Sequence, residues 1–190
     1  MAFSTLTVSL SVPEIRKIFI DTREILYSSL VEKENIKSEL LKMSYRNLYS
    51  IFDKIAVFLQ AYLRIPVKVY KADFASIWYD NEKNIREEFH SRTDNLSLLA
   101  LYNVSMDVYG NKKLRYVIDE QTKDFQRIRN FIEHKIVRIK DGPMHYDEYQ
   151  LTISMNELTI NTIRLAQLAR CAIIYLCNFV MHAEYISINK

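Results

Sequence analysis

Two glycines and three prolines in 190 residues leave this chain almost without punctuation. Those are the residues that most readily stop a helix or turn a strand, so their scarcity predicts long helices and few tight turns. Hydrophobic spacing agrees. Pro13 is placed to open a helix at its first turn, with Ile15, Ile18, Phe19, Leu26 and Leu30 along its apolar side to about Val31. Glu32-Lys33-Glu34 marks a break. A second helix is expected from about Asn35 to Leu63, with Leu41, Leu48, Phe52, Ile55, Leu59 and Tyr62 at three-four spacing. Pro66 ends it, because the residue before a proline avoids the helical region.

Residues 66–93 are the least regular. Lys68 to Lys71 reads as a short extended piece and Asn81 to Arg92 as a solvated helix or loop. The sole tryptophan, Trp78, reads as a plug at one end of a bundle, the alternative being a platform on which a base stacks. Asp94 can cap a helix to about Tyr109, with Leu96, Leu99, Tyr102 and Met106 inward. Gly110-Asn111 is a turn signal. Another helix is expected from about Asp119 to Val137, followed by a loop at Asp141-Gly142-Pro143. Ser154-Met155-Asn156-Glu157 is a capping box. It opens a last helix to His182 or Tyr185, with Leu158, Leu165, Leu168, Ala172, Leu176 and Phe179 inward. The sum is an all-α fold: an elongated antiparallel bundle of four to five main helices, with no convincing sheet. The longest would span about 45 Å at 1.5 Å per residue.

One domain over residues 1–190 is the natural reading of this length. The hydrophobic share is 49% and the net charge +3, ordinary for a globular protein and too mildly basic to argue a polyanion partner by itself. Cys171 and Cys177 are six apart on one expected helix, about 9 Å between Cα atoms, too far for a disulfide. They read as buried thiols of a cytoplasmic protein. His90, His134, His145 and His182 are scattered, and neither His nor Cys shows metal-ligand spacing, so no metal or other cofactor is expected. Met1 to Val12 lacks the basic start of a signal peptide. The run Cys171 to Met181 is too short to span a bilayer and reads as a core helix rather than a membrane contact.

Against this background one stretch carries chemistry: Arg129-Asn130-Phe131-Ile132-Glu133-His134. On a helix Asn130 and His134 share a face, whereas Phe125, Ile128, Ile132 and Ile136 form an apolar stripe on the other side. The imidazole therefore points to solvent, a cleft or a partner chain, not into the core of its own helix. Arg129 lies about 140° round the helix from His134, but its side chain is long.

An all-α bundle carrying Arg-Asn-x-x-x-His resembles the HEPN superfamily, the higher eukaryote and prokaryote nucleotide-binding domains. Its hallmark is Arg, four to six residues, then His, often with a polar residue directly after the Arg; Arg129, Asn130 and His134 match. Companion segments are similar to one bacterial branch: Leu48 to Ala56, Ile77-Trp78-Tyr79, Leu99-Ala100-Leu101-Tyr102, Glu133-His134-Lys135 and Arg164-Leu165-Ala166. The resemblance is clearest over residues 45–180. It implies a homodimer that sets two Arg/His motifs across a shared cleft. It also implies a metal-independent ribonuclease acting on tRNA or mRNA, as a toxin of a toxin–antitoxin pair, in abortive infection or in anti-phage defence, with an antitoxin or sensor protein as a further partner. The alternative is a catalytically silent module that binds RNA, nucleotide or protein. Toxins silenced by a nucleotidyltransferase carry Tyr two residues after the His; here that position is Ile136, which argues against control by AMP addition there.

The chemistry follows from the residue types. RNA brings its own nucleophile in the 2′-OH. A base must take that proton, an acid must protonate the departing 5′-oxygen, and a cation must steady the phosphorane. His134 suits the proton transfers. Arg129 offers phosphate a bidentate fork. Asn130 can orient the imidazole or donate to a phosphate oxygen. Glu133 and Lys135 are accessory candidates, Glu133 as the partner of a nearby cation.

Overall fold

The computed structural model describes the backbone of residues 3–92, 94–110 and 120–188, with side chains over 12–92, 94–110 and 123–185. Helices α1 (Phe3–Ser29) and α2 (Glu34–Tyr62) form a hairpin. A 3₁₀ turn (Val69–Lys71) and the one-turn helix α3 (Glu87–His90) lie in the irregular stretch. Then come α4 (Leu96–Tyr109) and α5 (Glu120–His134), strands β1 (Ile136–Ile139), β2 (His145–Tyr146) and β3 (Gln150–Ile153), and α6 (Met155–Ile188). The architecture is the expected all-α bundle with a small sheet added.

α2 is the central helix. Its three-four spacing buries Leu41, Tyr45, Leu48, Phe52, Ile55 and Leu59, and α1, α5 and α6 pack against it. Aromatic edges lock the joints: Tyr62 meets Phe179 of α6 and Tyr49 meets Tyr109 of α4, with ring centroids 5.5 and 5.4 Å apart. α2 ends where Arg64 turns left-handed at φ 56°. There Gln60 Nε2 donates to the carbonyls of Ile65 and Val67, latching the chain as it leaves the helix.

Several expectations are corrected. Pro13 lies inside α1 instead of opening it. The residue is exposed, and its ring takes one N–H out of the helix ladder. Leu30 and Val31 fall beyond α1 and are exposed. Residues 69–71 form a 3₁₀ turn, not an extended piece. Asn95, not Asp94, caps α4: its Oδ1 accepts from the N–H groups of Ser97 and Leu98, and its Nδ2 lies 3.1 Å from His182 Nδ1 on α6. The face α4 buries is Leu98, Leu101, Val104 and Val108, whereas Leu96 and Leu99 are exposed. This helix is apolar nearly all round, so periodicity could not choose its inner face.

The sheet is the largest departure. α5 stops at His134, and Ile136 starts β1 instead of extending the apolar stripe. β1 runs parallel to β3, and β2 pairs antiparallel on the other edge of β3. Ile136, Val137 and Ile139 are β-branched, and their cost in a helix is recovered by pairing with Gln150–Ile153. Ser154 accepts from Glu157 N–H and caps α6 as expected. Asn111 and Asp119, assigned to the turn and to the start of α5, lie outside the described residues. Cys171 and Cys177 are free, and half-buried instead of buried. Among the described residues one helix, Met155–Tyr185 within α6, is long and apolar enough to cross a membrane. Its inner face, with Leu158, Leu165, Ala172 and Leu176 fully buried, packs on α2 and α4, the role expected of it as a core helix.

Candidate functional site

α5 presents three faces. The first, Phe125, Ile128 and Ile132, is buried. It is pinned at both ends by α2: the Tyr45 hydroxyl donates to the Phe125 carbonyl at 3.1 Å, and Arg46 donates to that of Ile132. The carbonyls in the last turn of a helix lack intrahelical partners, and that end carries partial negative charge, so Arg46 answers both needs. Arg46 Nε also lies 3.6 Å from Glu133 Oε1. Glu133 is thus the paired carboxylate the sequence reading allowed for, tying α5 to α2.

The second face meets the sheet. Arg127 lies over the Tyr146 ring at 4.3 Å, and Phe131 packs edge-on to the same ring. Lys135, just past the helix end, places its ammonium 4.8 Å from the Phe131 ring. It sits on the sheet flank, apart from the face that carries His134. Asp147, in the turn before β3, is held below the usual carboxylate range by the N–H groups of Tyr149 and Gln150, with His145 and Lys135 adding to the effect.

The third face is open. Lys123, Gln126, Asn130, Glu133 and His134 are exposed along it. Asn130 and His134 lie one turn apart, as expected. The structure brings Arg129 and Asn130 together, Nη1 to Oδ1 at 3.4 Å, and leaves His134 further along the ridge at the last helical residue. Asn130 therefore contacts the guanidinium, not the imidazole.

Arg129 is where sequence reasoning missed residues. Its guanidinium lies 5.5 Å from the ring centroid of Tyr49 on α2, in cation–π range. Asp53, one turn on from Tyr49, faces the same charge. Burial pushes the Asp53 carboxyl above its ordinary value, Arg129 opposes that rise, and Asp73 adds to it. Burial likewise raises the Tyr49 and Tyr109 phenols. The Tyr109 hydroxyl faces the Tyr49 hydroxyl and the Asp53 carboxyl. The available signal was polar Tyr49 and Asp53 at i,i+4 on the inner side of a core helix. No three His, Cys, Asp or Glu side chains cluster as a metal site among the described residues.

Asp53 gives a pH-dependent expectation. Its native pKa is raised, so the folded state holds the proton more tightly than the unfolded chain. Stability from this group is fullest below the ordinary carboxylate value of 3.8 and is lost as pH rises through the native value. Asp53→Asn cannot ionise. In urea unfolding its stability relative to wild type should therefore rise between about pH 4 and pH 7; a difference that stays constant would show that burial does not strain the carboxylate.

Trp78 is not a stacking platform. It is 1% exposed, its indole N–H donates to the Phe74 carbonyl at 2.8 Å, and Phe74, Phe89 and Tyr102 surround it.

No curated protein and no solved structure matches this chain at a significant level. A family model described as LA2681-like HEPN matches residues 7–184, which includes α2 and the whole of the Arg129–His134 segment. The chain belongs to the LA2681-like HEPN family, within a superfamily of nucleotide-binding and ribonuclease-like helical domains.

Proposed function

We propose that the protein is a metal-independent endoribonuclease that works as a homodimer, as an effector of a toxin–antitoxin or anti-phage system. The observation that carries this reading is an open ridge holding His134 and Asn130, with Arg129 steadied over Tyr49 at its side. An imidazole at a helix end is accessible to a polymer too large for a closed pocket. A guanidinium resting on an aromatic ring keeps its edge for phosphate. The 2′-OH attacks the adjacent phosphorus as a base removes its proton, and the bond to the 5′-oxygen breaks as an acid protonates it. The ends left are a 2′,3′-cyclic phosphate and a 5′-OH, and no water is consumed. Two proton transfers need two groups. One His134 per chain supplies one, and a second copy supplies the other.

The test is to incubate the purified protein with transfer and messenger RNA in EDTA, then analyse the ends and the mass of the native assembly. Cyclic phosphate and 5′-OH ends from a dimer are expected. Intact RNA after incubation with a well-folded dimer, or 3′-OH ends, would overturn the reading and leave a module that binds RNA, nucleotide or a protein.

A further inference from the structure

The loop between α2 and α4 builds a cleft beside this ridge. It has a volume of 740 Å³, within the range of small-ligand sites. Lys68, Lys71, Lys83 and Arg86 stand on its wall, with the rings of Tyr79 and Tyr109. The two acids there are engaged within the loop. Asp73 Oδ1 accepts from the N–H groups of Ala75 and Ser76, and its other oxygen takes the Ser76 hydroxyl. Asp80 Oδ1 accepts from Glu82 and Asn84, both at 2.9 Å. Both carboxylates keep their charge while holding the turns, so four cations stand against two anions and the cleft has a positive balance.

The cleft meets the ridge of α5 at one residue. Gln126 belongs both to its wall and to the exposed ridge of α5. From there Asn130 and His134 follow at four-residue steps, about 6 Å each and 12 Å in all. That step is close to the spacing of successive phosphates along a single strand. Tyr109, on the wall, packs against Tyr49, the ring under Arg129.

We infer that this cleft binds the segment of single-stranded RNA adjoining the scissile phosphate, with Lys68 and Lys71 on the phosphates and the cleft admitting an unpaired base. The identification of the ligand as RNA rests on the ribonuclease reading. Single strands are recognised by cations along the backbone and by bases turned out of the stack, and the cleft offers both a charged rim and an aromatic wall. Each lost phosphate contact lowers the salt dependence of binding by a known increment, which makes the claim measurable.

The experiment measures binding of a labelled single-stranded RNA by fluorescence anisotropy in EDTA, using His134→Ala protein so that bound RNA is not cut. Into it go Lys68→Glu with Lys71→Glu, both exposed positions, and as control Lys33→Glu with Lys37→Glu, about 40 Å away along α2. The cleft pair should weaken binding at least about tenfold and flatten the slope of log affinity against log salt by about 1.4, or 0.7 per lost contact. The control pair should do neither. Equal losses from both pairs, or none from the cleft pair, would overturn the inference. Failure here is distinct from failure of the nuclease reading. RNA that binds through Lys68 and Lys71 but is never cut by wild type removes only the nuclease. Cleavage that depends on His134 beside unchanged affinity of the cleft pair removes only the cleft.

Discussion

His134→Ala should lose RNA cleavage by about 10²- to 10⁴-fold, the share that positioned acid–base catalysis supplies, without loss of fold. The side chain is exposed at the last residue of α5, and exposed substitutions of this kind move stability by less than about 0.5 kcal/mol. A matched thermal midpoint beside the lost activity therefore separates chemistry from folding. Arg129→Lys should also be severely impaired. It keeps the charge but loses the planar fork and the guanidinium's contact with Tyr49. The assay is the rate of RNA cleavage in EDTA. Wild-type rates in His134→Ala would remove the imidazole from the mechanism. His145→Ala adds a discriminating arm: the residue is on β2, on the sheet flank of α5. Full activity in that variant agrees with a second His134 as the other proton-transfer group, whereas inactivity would move that group into the same chain.

Trp78→Ala carries the largest expected cost in stability. Removing a buried aromatic side chain costs about 3–5 kcal/mol through lost transfer energy and the cavity left behind. Here the vacated space is ringed by Phe74, Phe89 and Tyr102, which are themselves held by their helices and turns and cannot close over it. The Phe74 carbonyl also loses its donor. Against a total stability of about 5–15 kcal/mol this is a large fraction, so a marked fall in the urea midpoint is expected. A change of less than about 1 kcal/mol would mean that the tryptophan is not the plug it is taken for. Because the same loop forms the cleft wall, RNA binding should weaken together with stability in this variant.

The central helix and the last helix were legible because their apolar residues recur with a helical period and their inner faces are unambiguous. The outward position of Asn130 and His134 was legible for the same reason. α4 was not, since a helix apolar on most sides has no preferred face until neighbours are present, and the link from Asn95 to His182 supplies one. The strand Ile136–Ile139 was hidden because its apolar residues also continue the helical stripe of α5; four residues of mixed pattern fit either period. Only the pairing with Gln150–Ile153, which local pattern does not encode, tips it to a strand.

By itself the sequence determined what a short stretch of chain can decide: the extents of α2 and α6, the cap at Ser154, the spacing of Arg129, Asn130 and His134, and the side of α5 that Asn130 and His134 occupy. Those depend on neighbours three or four residues apart. The tertiary structure decided what stands beside them. Tyr49 and Asp53 reach Arg129, and Arg46 reaches Ile132 and Glu133, across more than 70 residues of chain. Such contacts exist only once burial of the apolar faces of α2 and α5 has docked the two helices. The cleft between the 66–86 loop and α5 likewise comes from that packing, because a concave surface is made by elements that no local pattern brings together.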